Sequence, residues 1–392
     1  MTARLHILTL STLFPNAATP NFGIFVERQA VELASRTAAR VTVVNPVGMP
    51  PWPLSSHRKY QGLSALPEHE AWRGLDVCRP RFTLIPKISG ASNPRRIASA
   101  ILPLVKKLHA ETPIDVIDAE FFYPDGPAAM RLAEALGIPF TIKARGADIH
   151  HWGDDPKCRD QLLKAAEKAS ALLAVSDALK QDMITLGMDS GKIAVHYTGL
   201  DQDKFFPVDR DAAKRELGVK GPLFITTGAL IARKNQDLAI RTMVHFPDAH
   251  LMLAGDGEEE DNYRALANQL GVADRVRFLG SVPHENIPRM TAAADIAILV
   301  SKSEGLANAW VEALACGTPV IISEAGGARE LVTGPAAGRI VEQNVEAIVH
   351  AAKTILAEPP SQEAVRSSVR QFSWKSNGDQ LLAILRKAAG KS

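Results

Sequence analysis

Short apolar segments rich in β-branched residues alternate with longer segments of helical periodicity along most of this 392-residue chain. Such alternation is typical of βαβ units, in which parallel strands form a sheet and helices pack on it. The sequence therefore predicts an α/β fold built on parallel sheets.

The predicted elements fall into two successive groups. In the first group we expect strands at residues 5–10, 40–44, 116–117, 140–142, 171–175 and 193–196, and helices at residues 25–35, 126–135 and 178–186. In the second group we expect strands at residues 223–227, 250–254, 276–279, 296–300 and 320–322, and helices near residues 235–244, 261–270, 287–293 and 308–315. Two groups of this size suit the usual domain length of about 100 to 200 residues.

A seam rich in turn residues separates the two groups. It runs from Thr198 to Pro207, and the proline stops any helix there. We therefore predict a first domain at residues 1–200 and a second domain at residues 201–373. Leu381 and Leu385 share one helical stripe in the last segment, 374–392, so we expect a helix that docks back on the domain seam.

The composition excludes several classes of protein. The 45 lysines and arginines against 43 aspartates and glutamates give a net charge of +2, far below the basic excess of a protein that mainly binds nucleic acid. The three cysteines, Cys78, Cys158 and Cys316, are too widely spaced for a disulfide scaffold or a zinc site, which favours a reducing compartment. No run of 18 apolar residues occurs, so we expect no membrane-spanning helix.

Two glycine turns follow the first two strands of the second domain. Gly228 ends the first strand, and Arg233 and Lys234 precede the next helix. Ligands of open parallel sheets bind beyond the carboxyl ends of the strands, where cations and helix N-termini suit a phosphate group. Gly255 and Gly257 would allow the backbone of the second turn to approach such a ligand. The alternative interpretation is a pair of ordinary solvated turns.

Two glutamates flank a helix start in the segment 303–331. Glu304 lies in the turn after a predicted strand, and Glu312 lies about two helical turns further on, a rise of roughly 12 Å at about 1.5 Å per residue. At that separation they cannot share one proton transfer. They can accept hydrogen bonds from hydroxyls at opposite ends of a long polar ligand, while the N–H groups of residues 305–308 face its phosphates. Two unrelated surface glutamates are the alternative.

Together these segments resemble the donor-site signature of glycosyltransferase family 4, whose members are retaining enzymes of the GT-B fold. The resemblance extends to Phe14-Pro15-Asn16, Gly23, Phe25, residues 26–29, Ser176-Asp177, residues 199–207 and residues 276–280. It implies two Rossmann-like domains that face each other across a cleft. The first domain would bind the acceptor, and the second would bind a nucleotide-sugar donor.

The resemblance also implies roles for single residues. Arg233 and Lys234 would hold the diphosphate, Glu304 would contact the transferred sugar, and these three are the expected catalytic residues. Glu312 would bind the ribose hydroxyls, and the backbone near Val282 would meet the base. The expected nucleotide-sugar site comprises Gly23, Gly228, Arg233, Lys234, Gly255, Gly257, Val282, Glu304, Gly305, Leu306, Ala307, Asn308 and Glu312.

Two positions depart from the family pattern. Ala229 stands where many relatives carry arginine, so we expect Arg233 to replace that phosphate contact. Arg145 stands where many relatives carry a histidine that contacts the transferred sugar. Arg145 either hydrogen-bonds a sugar hydroxyl or an acidic donor, or forms a salt bridge with Asp148.

The acceptor is expected in the first domain, near the turn at residues 118–126. The candidate contacts to the acceptor or the sugar are Tyr123, Asp125, Arg145 and Asp148, although aromatic runs also fill cores. Basic residues surround an apolar stretch in the segment 86–107. They indicate either peripheral contact with an anionic membrane or a solvated helix whose apolar side packs inward.

The resemblance implies a retaining glycosyltransferase that moves a sugar from a nucleotide-diphosphate sugar to a saccharide or lipid-linked acceptor, in bacterial exopolysaccharide or lipopolysaccharide biosynthesis. No metal or other cofactor is expected, because no metal-ligand cluster is visible and Arg233 and Lys234 would neutralise the diphosphate. We expect the enzyme in the cytoplasm or at the inner face of the plasma membrane. Two alternatives stay open: a nucleotide-sugar epimerase of the same fold, and a catalytically silent nucleotide-sugar-binding protein.

Overall fold

Contacts between residues divide the protein into two units. In the computed structural model, which describes residues 4–86 and 88–391, the first unit runs to Gly199 and also includes the segment from Trp374 onward. The second unit is Leu200–Ser373. Each unit contains its own largely parallel sheet covered by helices, so the predicted α/β fold class is confirmed.

The strands of the first unit are β1 (Leu5–Leu10), β2 (Ala39–Val44), β3 (Val47–Met49), β4 (His69–Trp72), β5 (Leu75–Cys78), β6 (Arg81–Thr83), β7 (Val116–Ala119), β8 (Phe140–Ala144), β9 (Ala171–Ala174) and β10 (Ile193–Val195). Among the described residues, eight of them form one sheet in the order β10-β9-β8-β7-β1-β2-β5-β4. Within the described part of this sheet, only the edge pair β4–β5 is antiparallel. β3 and β6 form a separate parallel pair.

The helices of the first unit are α1 (Ile24–Ala34), α2 (Arg58–Ser64), α3 (Asn93–Glu111), α4 (Asp125–Leu136), α5 (Ala147–His150), α6 (Pro156–Lys168) and α7 (Asp177–Thr185), together with α16 (Trp374–Ala388) from the end of the chain. β1 is buried along its whole length, as expected for a central strand with helices on both faces. Leu381 and Leu385 of α16 belong to the same apolar cluster as Leu5 and Ile7 of β1 and Leu33 of α1. The last helix is therefore part of the first unit's core.

The elements of the second unit are α8 (Arg210–Glu216), β11 (Leu223–Thr227), α9 (Gln236–Thr242), β12 (His250–Ala254), α10 (Glu260–Gln269), β13 (Val276–Phe278), α11 (Ile287–Ala293), β14 (Ile296–Leu299), α12 (Asn308–Ala315), β15 (Val320–Ser323), α13 (Ala328–Leu331), β16 (Gly338–Val341), α14 (Val345–Ala357) and α15 (Gln362–Ser367). The strands form a parallel sheet in the order β13-β12-β11-β14-β15-β16.

Several short strands escaped the sequence analysis. β3, β5, β6 and β16 are only three or four residues long, and β4 alternates exposed and half-buried residues at the edge of its sheet. None of them presents the apolar run on which the prediction relied. No helix in the described part of the chain is both long enough and apolar enough to cross a lipid bilayer.

Candidate active site

The carboxyl ends of three neighbouring strands meet at one edge of the second sheet. β12, β11 and β14 are adjacent and parallel, so the turns that follow them share this edge. These turns carry the predicted glycines and cations, and Glu304 lies in the loop that follows β14. The structure therefore brings together segments that lie up to about 80 residues apart in the sequence.

The glycines of the first two turns allow close backbone packing. The N–H of Gly228 donates to the carbonyl oxygen of Ala254 at 2.9 Å. A Cβ on Gly255 would lie 2.0 Å from the carbonyl oxygen of Gly228, and one on Gly257 would lie 2.2 Å from that of Leu230. Close packing between the turns thus explains why residues 255 and 257 are glycines. Contact of these glycines with a donor stays a prediction.

The three predicted catalytic residues form one cluster. The ammonium group of Lys234 lies 2.5 Å from Oε1 of Glu304, and the guanidinium group of Arg233 lies 3.4 Å from the same oxygen. Arg233 also donates to the carbonyl oxygen of Ser303 at 2.5 Å. The side chains of Arg233 and Lys234 are 38% and 21% exposed, so they remain accessible to a ligand.

Asn235 holds the cation-bearing turn in place. Its backbone has a φ of 52°, a left-handed conformation in which asparagine is one of the tolerated residues. Its side-chain amide donates to the carbonyl oxygen of Val300 at 3.1 Å and to Oε1 of Gln343 at 3.2 Å. The turn after β11 is therefore tied to the end of β14, which fixes Arg233 and Lys234 next to Glu304.

The predicted helix start after Glu304 is also present. α12 begins at Asn308, and the preceding Ala307 supplies no side-chain cap for its first-turn N–H groups. Leu306 is buried, whereas Ala307 and Asn308 are half-buried. Gly326 packs closely against the loop at Gly305, since a Cβ on Gly326 would lie 2.2 Å from the Gly305 carbonyl oxygen. This contact shapes the loop.

Glu312 has a partner that the sequence analysis missed. Its Oε1 lies 3.1 Å from Nε2 of His284, in the loop after β13. Val282, the expected contact to the base, is half-buried two residues before His284. Glu312 makes no direct contact with Arg233, Lys234 or Glu304. The predicted rise of about two helical turns between Glu304 and Glu312 led us to expect this separation. Sheet order, which places β13 beside β12, is the signal that would have been needed to find His284.

In the first unit, the backbone conformation and the close packing at residue 23 require a glycine. It precedes α1 with a φ of 74°, and a Cβ there would lie 2.5 Å from the carbonyl carbon of Leu13. The loop after β1 and the start of α1 are thereby held together. Contact of Gly23 with a diphosphate stays a prediction.

Arg145 forms an ion pair, but not with the predicted partner. Its guanidinium group pairs with the buried carboxylate of Glu120, and Nε donates to the Glu120 carbonyl oxygen at 3.3 Å. The same group lies 4.7 Å from the ring centroid of Phe25, within reach of a cation–π contact. The salt bridge with Asp148, one of the two alternatives for Arg145, is wrong, because the turn presents the backbone N–H of Arg145, not its side chain, to Asp148. Contact of Arg145 with a sugar hydroxyl or an acidic donor stays a prediction.

Asp148 instead organises the loop after β8. Its carboxylate accepts hydrogen bonds from the backbone N–H groups of Phe122 at 2.6 Å, Arg145 at 2.9 Å and Gly146 at 2.8 Å. Burial raises the pKa of Asp148, and these N–H donors act against that rise. Since the side chain is fully buried, it shapes the loop and does not present its carboxylate to an acceptor.

Tyr123 and Asp125 are also enclosed. Both have no exposed surface. The Tyr123 hydroxyl donates to the carbonyl oxygen of Gly90 at 2.9 Å, and the Asp125 carboxylate accepts from the N–H of Thr12 at 2.9 Å. The expectation that they contact the acceptor is corrected accordingly: the aromatic run fills the core of the first unit. Burial raises the pKa of Asp125 to about 8.

A buried polar network lies beside Arg145. The ammonium group of Lys143 donates to Oε1 of Gln29 at 2.5 Å and to Nδ1 of His196 at 2.7 Å, while the Gln29 amide donates to Glu120. Burial and the nearby Arg145 lower the pKa of Lys143. Burial favours the neutral form of Glu120, but the cations of Arg145 and Lys143 outweigh it and lower the pKa of this carboxyl. The network thus surrounds the carboxylate that orients Arg145.

One group of possible metal ligands occurs within the described residues. The ligand atoms of His69, Asp76 and Cys78 lie within 4.8 Å of one another on the antiparallel pair β4–β5. The group belongs to the first unit, whereas the predicted diphosphate-binding cations belong to the second.

Family comparisons cover both units. Residues 26–204 match glycosyltransferase family 4, and residues 208–372 match the glycosyl transferases group 1. The chain therefore belongs to glycosyltransferase family 4 and is a glycosyltransferase.

Two relatives align over most of the chain. A protein named as a teichuronic acid biosynthesis glycosyltransferase, TuaC of Bacillus subtilis, is 28% identical over 338 residues, which cover 83% of each chain. A GDP-mannose-dependent alpha-(1-6)-phosphatidylinositol monomannoside mannosyltransferase of Mycolicibacterium smegmatis is 27% identical over 351 residues, which cover 83% of this chain and 88% of that protein.

Solved structures share the architecture. A sucrose-phosphate synthase from Thermosynechococcus elongatus aligns with a TM-score of 0.84 at 20% identity over 99% of this chain and 100% of that one. Anabaena HepE in complex with UDP-glucose aligns with a TM-score of 0.74 at 20% identity over 98% of this chain and 100% of that one. The predicted GT-B fold is confirmed.

Proposed function

We propose that the protein is a retaining glycosyltransferase that moves a sugar from a nucleotide-diphosphate sugar to a saccharide or lipid-linked acceptor in bacterial surface polysaccharide assembly. The observation that carries this proposal is the cluster of Arg233, Lys234 and Glu304 at the shared ends of β11 and β14. The names of the two relatives, which concern teichuronic acid and a phosphatidylinositol mannoside, support a saccharide or lipid-linked acceptor.

The two cations are suited to the leaving group. The diphosphate gains negative charge as the bond to the sugar breaks, and fixed positive groups favour that change over the ground state. Arg233 and Lys234 are fixed by Glu304, so little reorganisation is needed when the donor binds. The uncapped first turn of α12 adds N–H donors on the same unit.

Glu304 has a second role in this proposal. One carboxylate oxygen accepts from Lys234, which leaves the other oxygen to accept from a sugar hydroxyl. Glu312, held by His284, binds the ribose hydroxyls at the other end of the donor. Retention then follows from same-face attack guided by the leaving diphosphate, without a covalent glycosyl-enzyme.

The charge of Arg233 and Lys234 also supports transfer without a metal ion, since two fixed cations can neutralise the diphosphate as a divalent cation would. Full activity after treatment with a chelator is the expected result. The three cysteines are free thiols and buried, which supports a reducing compartment such as the cytoplasm.

Transfer can be tested with the purified protein and a panel of nucleotide sugars that includes UDP-glucose and GDP-mannose. A ligand selective for the folded protein raises the melting temperature and identifies the donor. We then expect acceptor-dependent release of the nucleoside diphosphate and, by NMR, a product with the anomeric configuration of the donor. An inverted linkage, or a trapped glycosyl-enzyme adduct, would overturn the proposed mechanism.

A further inference from the structure

The hairpin β4–β5 at the edge of the first sheet carries three different metal-ligating side chains on one face. His69 of β4 lies directly opposite Cys78 of β5 in the antiparallel register. Asp76 lies two residues before Cys78 on the same strand. Opposite residues, and residues two positions apart on a strand, point to the same side of a sheet. An imidazole, a carboxylate and a thiol are therefore brought together on this side of the hairpin, here called the ligand face.

The hydrogen bonds of the hairpin hold His69 and Cys78 close together. The N–H of Arg79 donates to the carbonyl oxygen of Glu68 at 2.7 Å, so these two residues form a hydrogen-bonded pair. Such pairs alternate with non-hydrogen-bonded pairs along an antiparallel ladder, and the side chains of the second kind lie closer. His69 and Cys78 form the next pair and are of this second kind. The two-residue turn that joins the strands has φ angles of 47° and 81°, as a tight hairpin turn requires, and fixes this register.

The distances on the ligand face are close to those of a metal site. Nε2 of His69 lies 2.5 Å from Oδ1 of Asp76, and the ligand atoms of His69, Asp76 and Cys78 all lie within 4.8 Å of one another. The ligand atoms of a tetrahedral zinc ion, each about 2.0–2.3 Å from the metal, are separated by about 3.3–3.6 Å. The separations on the ligand face thus need to change by only about 1 Å for the three atoms to surround one ion.

The exposure of the three side chains suits a site that is open on one side. The side chains of His69 and Asp76 are 67% and 44% exposed, so both can change rotamer and an ion can reach them from solvent. Cys78 is only 5% exposed and forms the inner end of the group. The chain thus supplies three ligands, and water can reach the fourth position.

The arginines of this hairpin leave the ligand face to another cation. Arg79 directly follows Cys78, and its guanidinium group lies 2.6 Å from Oε1 of Glu70, whose position alternates with that of His69. Arg73, in the turn, lies 2.8 Å from Oε1 of Glu27 on α1. Both cations therefore pair with carboxylates outside the ligand face.

We propose that His69, Asp76 and Cys78 bind one zinc ion, with water as the fourth ligand. A mixed set of nitrogen, oxygen and sulfur ligands suits zinc, whereas magnesium and calcium prefer oxygen ligands alone. On binding, the thiol of Cys78 releases its proton to solvent and its sulfur bonds to the metal. The thiolate and the carboxylate then balance the two positive charges of the ion.

The zinc site stabilises the edge of the first sheet and takes no part in sugar transfer. It joins β4 to β5, and a ligand that binds only the folded state stabilises that state. The inference does not rest on the proposed function, because the ligand face belongs to the first unit and the diphosphate is assigned to Arg233 and Lys234 of the second. Removal of zinc by a chelator is expected to lower the melting temperature and to leave the rate of transfer unchanged.

Titration of the purified, chelator-treated chain with zinc chloride tests the proposal. We use a chain without a histidine tag and expect one ion to bind per chain, with a rise in the melting temperature. His69→Ala and Cys78→Ser should each weaken zinc binding about 100-fold or more, because even the outer partners of metal ligands contribute about 10- to 100-fold. Cobalt(II) added in place of zinc should give a thiolate-to-metal absorption band, which Cys78→Ser should abolish.

Matched control variants lie elsewhere in the first unit. His150 forms a comparable pair with Asp182, at 2.9 Å, and Cys158 is a buried free thiol. His150→Ala and Cys158→Ser should therefore bind zinc as the unaltered chain does. His69 is exposed, so His69→Ala tests the site without disturbing the core, and an unchanged melting temperature in the presence of chelator confirms that a variant is folded.

Several results would overturn the proposal. They are a failure of zinc to bind, full binding in the folded His69→Ala variant, equal losses in the control variants, and a cobalt spectrum without the thiolate band. Equal affinity for magnesium would show that the carboxylate alone attracts the cation. Sugar transfer is measured separately with and without chelator, so a failure of zinc binding is distinguishable from a failure of the proposed reaction.

Discussion

At the scale of single residues, the proposed site depends on one carboxylate that holds two cations. Lys234 lies 2.5 Å from Glu304, so its ammonium group is oriented before any ligand binds. We predict that Lys234→Ala lowers kcat/KM for sugar transfer about 100-fold or more, because a fixed group aimed at developing charge typically contributes that much. Lys353→Ala, an exposed lysine of α14, is the control and should leave the rate unchanged. A correctly folded Lys234→Ala enzyme with undiminished turnover contradicts the assigned role.

The sequence could place Arg233, Lys234 and Glu304 at one edge of a sheet, because each lies in the turn after a predicted strand and parallel strands end at a common edge, whereas their roles came from the family resemblance. It could not find His284 or Glu120, whose partners lie 28 and 25 residues away in the sequence. Those contacts depend on loop conformation and on the order of strands in the sheet. Tyr123 was misassigned because an aromatic run looks the same in a sequence whether it lines a site or fills a core.

At the scale of elements, the two glycine turns of the second unit pack backbone against backbone. A Cβ on Gly257 would lie 2.2 Å from the Leu230 carbonyl oxygen, and neither backbone can move without displacing a strand end. We predict that Gly257→Ala lowers the free energy of unfolding of the second unit by about 1–3 kcal/mol, as other overpacked substitutions do. Gly334→Ala meets nothing within 4 Å and should be close to neutral in the same denaturant titration. Equal stability of the two variants would show that the turns do not pack as described.

The last helix gives a second prediction at this scale. The leucine stripe of the segment after residue 373 predicted a docked helix, but only the structure shows that it joins the core of the first unit. Leu381 has no exposed surface, so Leu381→Ala should destabilise that unit by about 2–5 kcal/mol through lost burial and a residual cavity. Lys387→Ala on the exposed side of α16 should change the denaturation midpoint little. A small effect of Leu381→Ala would place α16 outside the cooperative core.

At the scale of the whole molecule, the buried network of the first unit makes stability depend on pH. His196 accepts from Lys143 at Nδ1, and its Nε2 donates to the Asn377 carbonyl oxygen at 2.9 Å, which fixes a neutral ring. Burial, and then the charge of Lys143, lower the pKa of His196 to about 3. Below about pH 6.5 the unfolded chain therefore binds a proton that the folded chain does not, and stability falls as the pH falls toward 3.

His196→Gln isolates this effect, since it removes the titrating group. At neutral pH the variant should be less stable than the wild type because contacts to Lys143 and Asn377 are lost. Between about pH 6 and pH 4 the wild type loses stability and the variant does not. The difference in the free energy of unfolding between the two proteins should therefore shrink by up to about 1.4 kcal/mol per pH unit. Thermal or denaturant unfolding across this range checks the prediction, and a difference that is constant with pH would show that His196 titrates normally in the folded protein.

The alternation of strands and helices was enough to predict a two-domain parallel α/β architecture, because each βαβ unit leaves its own periodicity in the sequence. It did not reveal the pair β3–β6, whose three-residue strands leave no such pattern.

Calorimetric titration with nucleoside diphosphates tests most directly the central claim that Arg233 and Lys234 bind the diphosphate of the donor. We predict that the wild type binds UDP or GDP at least about tenfold more tightly than the matching nucleoside, and that Arg233→Ala/Lys234→Ala abolishes this preference while Lys353→Ala retains it. Equal diphosphate affinity in the folded double variant and the wild type would contradict the claim.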